Sequence, residues 1–218
     1  MSAPRILFVV DAGAKVGGGH VMRSLTLAQA LEAQGAACGF LAPPTVKAVL
    51  EAFGPEMNRL ETGEVTTTGL VEVAADFATR FDAVVIDHYG LAAAEHRLIA
   101  GHAPKPALVL DDLADRPLAA DLVLDSGPAR KTEDYGGLIP PTAELLLGPN
   151  NAPVRPAFAA LRKDALARRA QAGPVRRILV SLGLTDVGAI TGRVVDLLLP
   201  CSTATPGWMS CSAAALPA

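Results

Sequence analysis

Residues Val16 to Arg23 read VGGGHVMR: three consecutive glycines, then a histidine, His20, opening what reads as a helix. Bare glycines at Gly17, Gly18 and Gly19 let backbone N–H groups approach a ligand closely, and a helix N-terminus adds partial positive charge. That helix end disfavours an imidazolium, and a neutral imidazole near pH 7 is a general base. The same ring could instead cap the helix or fill space. Further along, acids end apolar runs: Asp11 after RILFVV, Asp87 with His88 and Tyr89 after AVVI, and Asp111 with Asp112 after ALVL. Two adjacent aspartates repel one another, so at most one of Asp111 and Asp112 is expected to face a pocket.

Such groups need a scaffold to bring them together. RILFVV (Arg5–Val10) is short, apolar and β-branched, as in a strand buried on both faces of a parallel sheet. Val21, Met22, Leu25, Ala28 and Leu31 then recur at helical spacing up to Gly35, a C-terminal cap. ACGFL reads as a second strand, Thr45 to Phe53 as a helix closed by Gly54, and Leu70 to Arg80 as a further amphipathic helix. DAVVID, ALVLDD and DLVLD read as three more strands. The alternation predicts an α/β fold, a Rossmann-like parallel sheet with helices on both faces. Ligands bind such sheets outside the carboxyl ends of the strands, where the aspartates fall.

The composition bounds the function. The chain has 218 residues, half of them hydrophobic, and a formal net charge of -3. That is one large domain, or one domain plus part of another. Mild acidity argues against a nucleic-acid partner, which would ask for a basic stripe. No apolar run is long enough to cross a bilayer, and the one at Arg5–Val10 is too short for a signal peptide, so the expectation is a cytoplasmic protein. Cys38, Cys201 and Cys211 form neither a disulfide framework nor a zinc pattern, and Cys38 reads as a small buried hydrophobe. No metal site and no cofactor are expected. Gly17 and Gly19 begin a dinucleotide fingerprint, but Met22 stands at its third glycine and Leu41–Ala42–Pro43 offers no acid for a ribose, which argues against a nicotinamide or flavin enzyme.

After LLLGP (Leu145–Pro149) comes a basic, alanine-rich helix whose run from Arg162 to Arg169 reads as a solvated or lobe-bridging face. It ends near Gly173–Pro174, a boundary. RRILVSLGLTD then restarts the strand, glycine turn and helix pattern, the helix running from about Asp186 to Leu199. The last stretch, from Pro200, has no charge and no periodicity, and reads as an out-of-frame or disordered tail. The expected division is therefore 1–173, 174–199 and 200–218.

GGGHVMRSLTLAQAL resembles the N-terminal motif of the UDP-2,4-diacetamido-2,4,6-trideoxy-β-L-altropyranose hydrolases of pseudaminic acid biosynthesis, which include flagellin modification proteins. The likeness continues in order through VVIDHYGL, LVLDDLADRP with ADLVLD, LLLGPNNAPVRPAF and ILVSLGLTD, up to about Leu199. The resemblance implies the N-terminal lobe of a two-lobed, MurG-like GT-B fold followed by the start of a truncated second lobe. It implies a UDP-sugar substrate from which water displaces UDP, with His20 as the catalytic base or water-orienting residue. Asp11, Gly17, Gly18, Gly19, Asp87, Tyr89, Asp111 and Asp112 would line the sugar pocket, and Gly183, Thr185 and Asp186 would belong to the nucleotide site. Arg23 would support the loop, or equally serve a surface or interdomain ion pair.

This sequence departs from the family pattern at Val9, Leu118, Gly127, Asn151 and the pair Gly183–Leu184. Those departures leave open which sugar is bound and whether the sugar goes to water or to an acceptor. A GT-B glycosyltransferase and an inactive fragment are the alternatives. His88 reads as facing solvent, and His96 and His102 as surface residues on a helix and at its end.

Overall fold

The computed structural model describes residues 2–101, 106–171, 173, 178–183, 186, 188–199 and 209–210. The chain divides into two compact units, one of residues 1–11 with 20–153 and one of residues 12–19 with 154–218.

The first unit is built on seven parallel strands: β1 (Arg5–Val10), β2 (Ala37–Ala42), β3 (Asn58–Glu61), β4 (Ala83–Asp87), β5 (Ala107–Leu110), β6 (Leu122–Asp125) and β7 (Glu144–Leu147). Their order across the sheet is β3-β2-β1-β4-β5-β6-β7. Each strand pairs in parallel with its neighbours, so every connection is a crossover. The order reverses direction between β1 and β4, which opens the crevice where doubly wound sheets take ligands. Val10 pairs with Asp87 there, and the Asp11 N–H donates to the Asp87 carbonyl at 3.0 Å.

Side chains alternate across the sheet and divide the core in two. Leu7, Val9, Leu41, Ile86 and Val109 join one cluster with Leu70 and Ala74 of α3 (Thr67–Ala78) and Ile99 of α4 (Ala93–Ala100). Phe8 and Phe40 stack on the opposite face with centroids 4.6 Å apart. Cys38 shares that face and its Sγ lies 3.7 Å from the Ala28 carbonyl of α1 (Gly19–Glu32). Burial pushes the Cys38 thiol up to about 12, an inert small hydrophobe as its sequence context predicts. Leu25 of α1 packs so closely on Gly54, after α2 (Pro44–Phe53), that a Cβ at Gly54 would sit 2.8 Å from Leu25 Cδ1.

The helix ends are set locally. Gly35 closes α1 with φ +93, a backbone position that costs a residue with a Cβ. Pro44 opens α2 at its first turn. The Thr66 hydroxyl accepts from the Gly69 N–H at the start of α3, and Glu95 accepts from the Ala92 N–H at the start of α4.

The second unit contains α5 (Pro156–Ala170), β8 (Leu179–Val180), α6 (Ile190–Leu198) and β9 (Met209–Ser210), with β8 and β9 parallel. All of α5 is exposed, including the run from Arg162 to Arg169. Residues 200–208 and 211–218, where a disordered tail is expected, lie outside the described residues, as does His102.

Candidate active site

His20, Arg23 and Ser24 lie at spacings i, i+3 and i+4 on the opening turns of α1, so one helix face carries all three. That face meets the last residue of β4. His20 Nδ1 is 2.6 Å from Asp87 Oδ1 and 3.1 Å from the Asp87 carbonyl. Oxygens of both kinds only accept here, so Nδ1 carries the proton and the Nε2 lone pair is left free. Arg23 forks onto the same carboxylate, Nε to Oδ2 at 2.7 Å and Nη2 to Oδ1 at 2.5 Å, and Ser24 Oγ donates to Oδ2 at 3.1 Å. Asp87 is 0% exposed, and its acceptor positions are taken up by α1. A carboxylate used in this way orients the imidazole and stabilises the imidazolium that forms when the ring takes a proton. The resemblance implies a place for Asp87 in the wall of a sugar pocket; the structure buries its carboxylate against α1.

The other face of His20 is held by Tyr89, whose ring meets the imidazole edge-on at 84°, centroids 4.3 Å apart. The Tyr89 hydroxyl donates to Asp112 Oδ1 at 2.7 Å, and Arg23 Nη1 donates to Asp112 Oδ2 at 3.0 Å. Burial, then the neighbouring carboxylate, pushes the Tyr89 phenol up to about 12, so its proton stays on oxygen. Burial alone would raise Asp112, but the Tyr89 hydroxyl and Arg23 reverse it and its carboxyl is lowered. Burial likewise opposes the charge on Arg23, yet Asp87 and then Asp112 outweigh it and hold the guanidinium protonated. Arg23 thus ties the end of β4 to the loop after β5. His20 Nε2 is different: it has no hydrogen-bond partner among the described residues and is not among their fully enclosed polar atoms.

Asp111 and Asp112 part company, as expected of adjacent acids. Asp111 turns inward, 1% exposed, accepting from the Ala114 N–H at 2.8 Å and from Arg116 Nη1 at 2.9 Å. The hydroxyl of Tyr135, itself buried, lies 2.9 Å from Asp111 Oδ2 and 2.9 Å from Asp125 Oδ2. Asp125 also takes the Gly127 N–H at 2.8 Å and Arg130 Nε at 2.5 Å. One phenolic proton serves one carboxylate at a time, and Arg116 and Arg130 balance the remaining charge. Burial and both aspartates push the Tyr135 phenol far above its ordinary value. Arg130 Nη2 reaches on to the Asp112 carbonyl at 2.6 Å, so this buried cluster braces the loop that presents Asp112. Asp111, for which the resemblance implies a pocket-lining role, is a buried strut in that cluster.

Two histidines differ from their sequence reading. His88 is largely enclosed, its side chain 12% exposed, because Asp11 and the turn through Gly90 close around it. His96 is 0% exposed, because it shares with Ala93 and Ile99 the face of α4 that packs inward. Burial pulls His96 down to about 4.

The remaining sites are less connected. Asp11 is partly exposed, and its carboxylate accepts no hydrogen bond from the described residues. Gly17, Gly18 and Gly19 close the segment 12–19 of the second unit, where Gly13 and Gly17 pair through two backbone bonds at 3.1 and 2.7 Å. Gly17 has φ +75. Gly183 has φ +96, and Asp186 Oδ1 accepts from the Ile190 and Thr191 N–H groups at 3.0 Å each, capping α6. Thr185 lies outside the described residues. No cluster of His, Cys, Asp and Glu suited to a metal, and no helix long and apolar enough to cross a membrane, occurs among the described residues.

A histidine backed by a buried carboxylate at the switch point of a parallel sheet is an arrangement for proton abstraction. The chain is 26% identical, over 154 residues, to the UDP-2,4-diacetamido-2,4,6-trideoxy-beta-L-altropyranose hydrolase of Campylobacter jejuni. The likeness is to a nucleotide-sugar hydrolase. It covers 71% of this chain and 53% of that protein, so the chain spans about half the length of the curated relative it matches. Among solved structures, MurG of Acinetobacter baumannii superposes with a TM-score of 0.55 at 18% identity, over 95% of this chain and 60% of that one. That similarity fixes the fold as the Rossmann-like, MurG-type α/β class. Anabaena Alr3699/HepE, solved with UDP and glucose, follows at a TM-score of 0.49 and 14% identity, over 96% of this chain and 70% of that one. No protein-family model matches the chain.

Proposed function

We propose that this chain carries the catalytic base of a hydrolase that releases UDP from a UDP-linked diacetamido-trideoxy sugar. The observation that carries the reading is the His20 Nδ1–Asp87 Oδ1 contact at 2.6 Å, which leaves Nε2 as the free acceptor. In the reaction, His20 Nε2 takes a proton from a water as its oxygen attacks the anomeric carbon. The bond from that carbon to the UDP oxygen breaks, and UDP leaves as the anion with its bonding pair. Asp87 keeps the ring in register and stabilises the imidazolium until the proton passes to solvent. A diphosphate is a good leaving group, so the base and the positioned water supply most of what is needed.

In this reading residues 1–173 hold the sugar and the chemistry, with Asp11, Tyr89 and Asp112 near the ring and Gly17–Gly19 as the substrate loop. Residues 174–199 begin the nucleotide part with Gly183, Thr185 and Asp186. The wider role in this reading is a cytoplasmic step of pseudaminic acid and flagellin glycan assembly, and what supports it is the resemblance of the motifs.

The test is to incubate the protein with that UDP-sugar and follow UDP and free sugar by chromatography. Release of both without any acceptor, abolished in His20→Ala, is expected. UDP release that requires an acceptor alcohol would make the protein a transferase, and turnover unchanged in His20→Ala would remove the base.

A further inference from the structure

His88 stands beside this machinery, and none of the steps above uses it. The Gly90 N–H donates to His88 Nδ1 at 3.0 Å. A backbone N–H pointing at Nδ1 requires a lone pair there, so the ring is neutral and its proton is on Nε2. The ring edge lies close to Gly90, where a Cβ would come 3.1 Å from His88 Cε1, so the bare Gly90 leaves room for the ring. The residue's own backbone is held too: its carbonyl accepts from the Leu91 N–H at 3.3 Å and from Arg116 Nη2 at 3.4 Å. The Asp11 carboxylate comes to 3.9 Å of Nδ1, beyond hydrogen-bond reach, and the Gly90 bond therefore decides the tautomer. His88 Nε2 has no hydrogen-bond partner among the described residues and, like His20 Nε2, is not among their enclosed polar atoms.

The groups facing His88 are Asp11, His20, Asp87 and Arg116. Burial holds His88 below its ordinary value; the Asp11 carboxylate opposes that shift without reversing it. The two rings are thus in opposite tautomers. His20 offers a lone pair at Nε2, and His88 offers a proton at Nε2.

We infer that His88 is a substrate-binding residue whose Nε2–H donates to a neutral oxygen of the sugar, opposite the base. This rests on the reading of the site as a nucleotide-sugar site. A neutral acceptor is favoured over phosphate because Asp11 lies beside His88, and a second anion there would meet a carboxylate in a poorly solvated crevice. No proton is transferred by His88; it binds and orients.

Two substitutions separate the two nitrogens. His88→Asn keeps an acceptor near Nδ1 for the Gly90 N–H and deletes the donor at Nε2. His88→Gln places an amide N–H near Nε2. Loss of one neutral hydrogen bond is expected to raise KM for the UDP-sugar about three- to tenfold in His88→Asn. Inhibition by UDP alone should be unchanged, and His88→Gln should recover most of the loss. An equal weakening of UDP and UDP-sugar would place the contact on phosphate and overturn the inference, as would His88→Asn with wild-type KM.

Long-range 15N–1H spectra of the wild-type protein give an arm that needs no turnover. His20 should read as the Nδ1–H form and His88 as the Nε2–H form, and the His88 Nε2–H resonance should move on adding UDP-sugar but not on adding UDP. A His88 Nδ1–H signal overturns the inference. The expected His88 shift in a protein that releases no UDP would keep the inference and sink the hydrolase reading.

Discussion

Consider replacing His96 by asparagine. The His96 imidazole is 0% exposed, its Nδ1 accepts from the Ala119 N–H at 3.4 Å, and its Nε2 has no partner. Burial, with Arg116 adding to it, lowers the group from 6.5 to about 4. A histidine lowered in the native state is neutral there while the unfolded chain already binds a proton. Stability from this group is therefore intact above pH 6.5 and is lost as pH falls through about 4. At about 1.4 kcal/mol per pH unit, the loss reaches about 2 kcal/mol at pH 5 and about 3 kcal/mol near pH 4.

Asparagine keeps an acceptor for Ala119 and cannot titrate. Urea unfolding followed by circular dichroism at pH 7.5, 6, 5 and 4.5 measures the difference. With a urea slope of about 2 kcal/mol per molar, the wild-type midpoint should fall about 1 M further than the variant's between pH 7.5 and 5. Other histidines and the carboxylates titrate in both proteins and cancel in the comparison. Parallel pH dependences would show that His96 is protonated in the fold or reached by solvent, and the burial argument would fail.

Asp87→Asn should leave the fold in place but present an amide where His20 Nδ1–H needs an acceptor, and UDP release should drop about 100- to 10,000-fold in a chromatographic assay. Arg23→Ala removes the fork from a carboxylate that is 0% exposed, and a loss of about 3–5 kcal/mol in urea unfolding is expected. A cost below about 1 kcal/mol would mean water already reaches Asp87. Tyr135→Phe takes the shared hydroxyl from Asp111 and Asp125, and should cost about 1–3 kcal/mol by the same measurement. Thiol titration should find Cys38 unreactive in the native state and reactive in urea, since burial holds its thiol near 12.

The strands that sequence patterning reveals are the central ones. β1, β4, β5 and β6 are continuous apolar runs because both faces are covered, and that pattern is visible in RILFVV and AVVID. β3 reads NRLE and β7 reads ELLL, both at edges of the sheet: in β3 polar residues meet solvent and the pattern fades, and in β7 the apolar run is only three residues long.

The site divides along the same line. The glycine–histidine junction marks His20, and the run H-x-x-R-S contains the i, i+3, i+4 spacing that brings Arg23 and Ser24 to the same carboxylate. That signal was present, but its meaning depends on knowing that β4 lies beside β1. Asp125 ends the run DLVLD and so carries the strand-end signal of the other acids, whereas Tyr135 carries none, because it lies on a short 3-10 turn whose burial follows no period. His96 was legible by position, at helical spacing between Ala93 and Ile99, and was misread by residue type.

The order of strands also bears on how the molecule comes into being. His20 and Asp87 are 67 residues apart in the chain, and a sheet made only of crossovers offers no hairpin to form early. A nascent chain that has exposed β1 and α1 to solvent must wait for β4 before the guanidinium and the imidazole find their carboxylate. During that wait the backbone edge of β1 stands open to any other strand, which exposes the chain to aggregation and to chaperone capture.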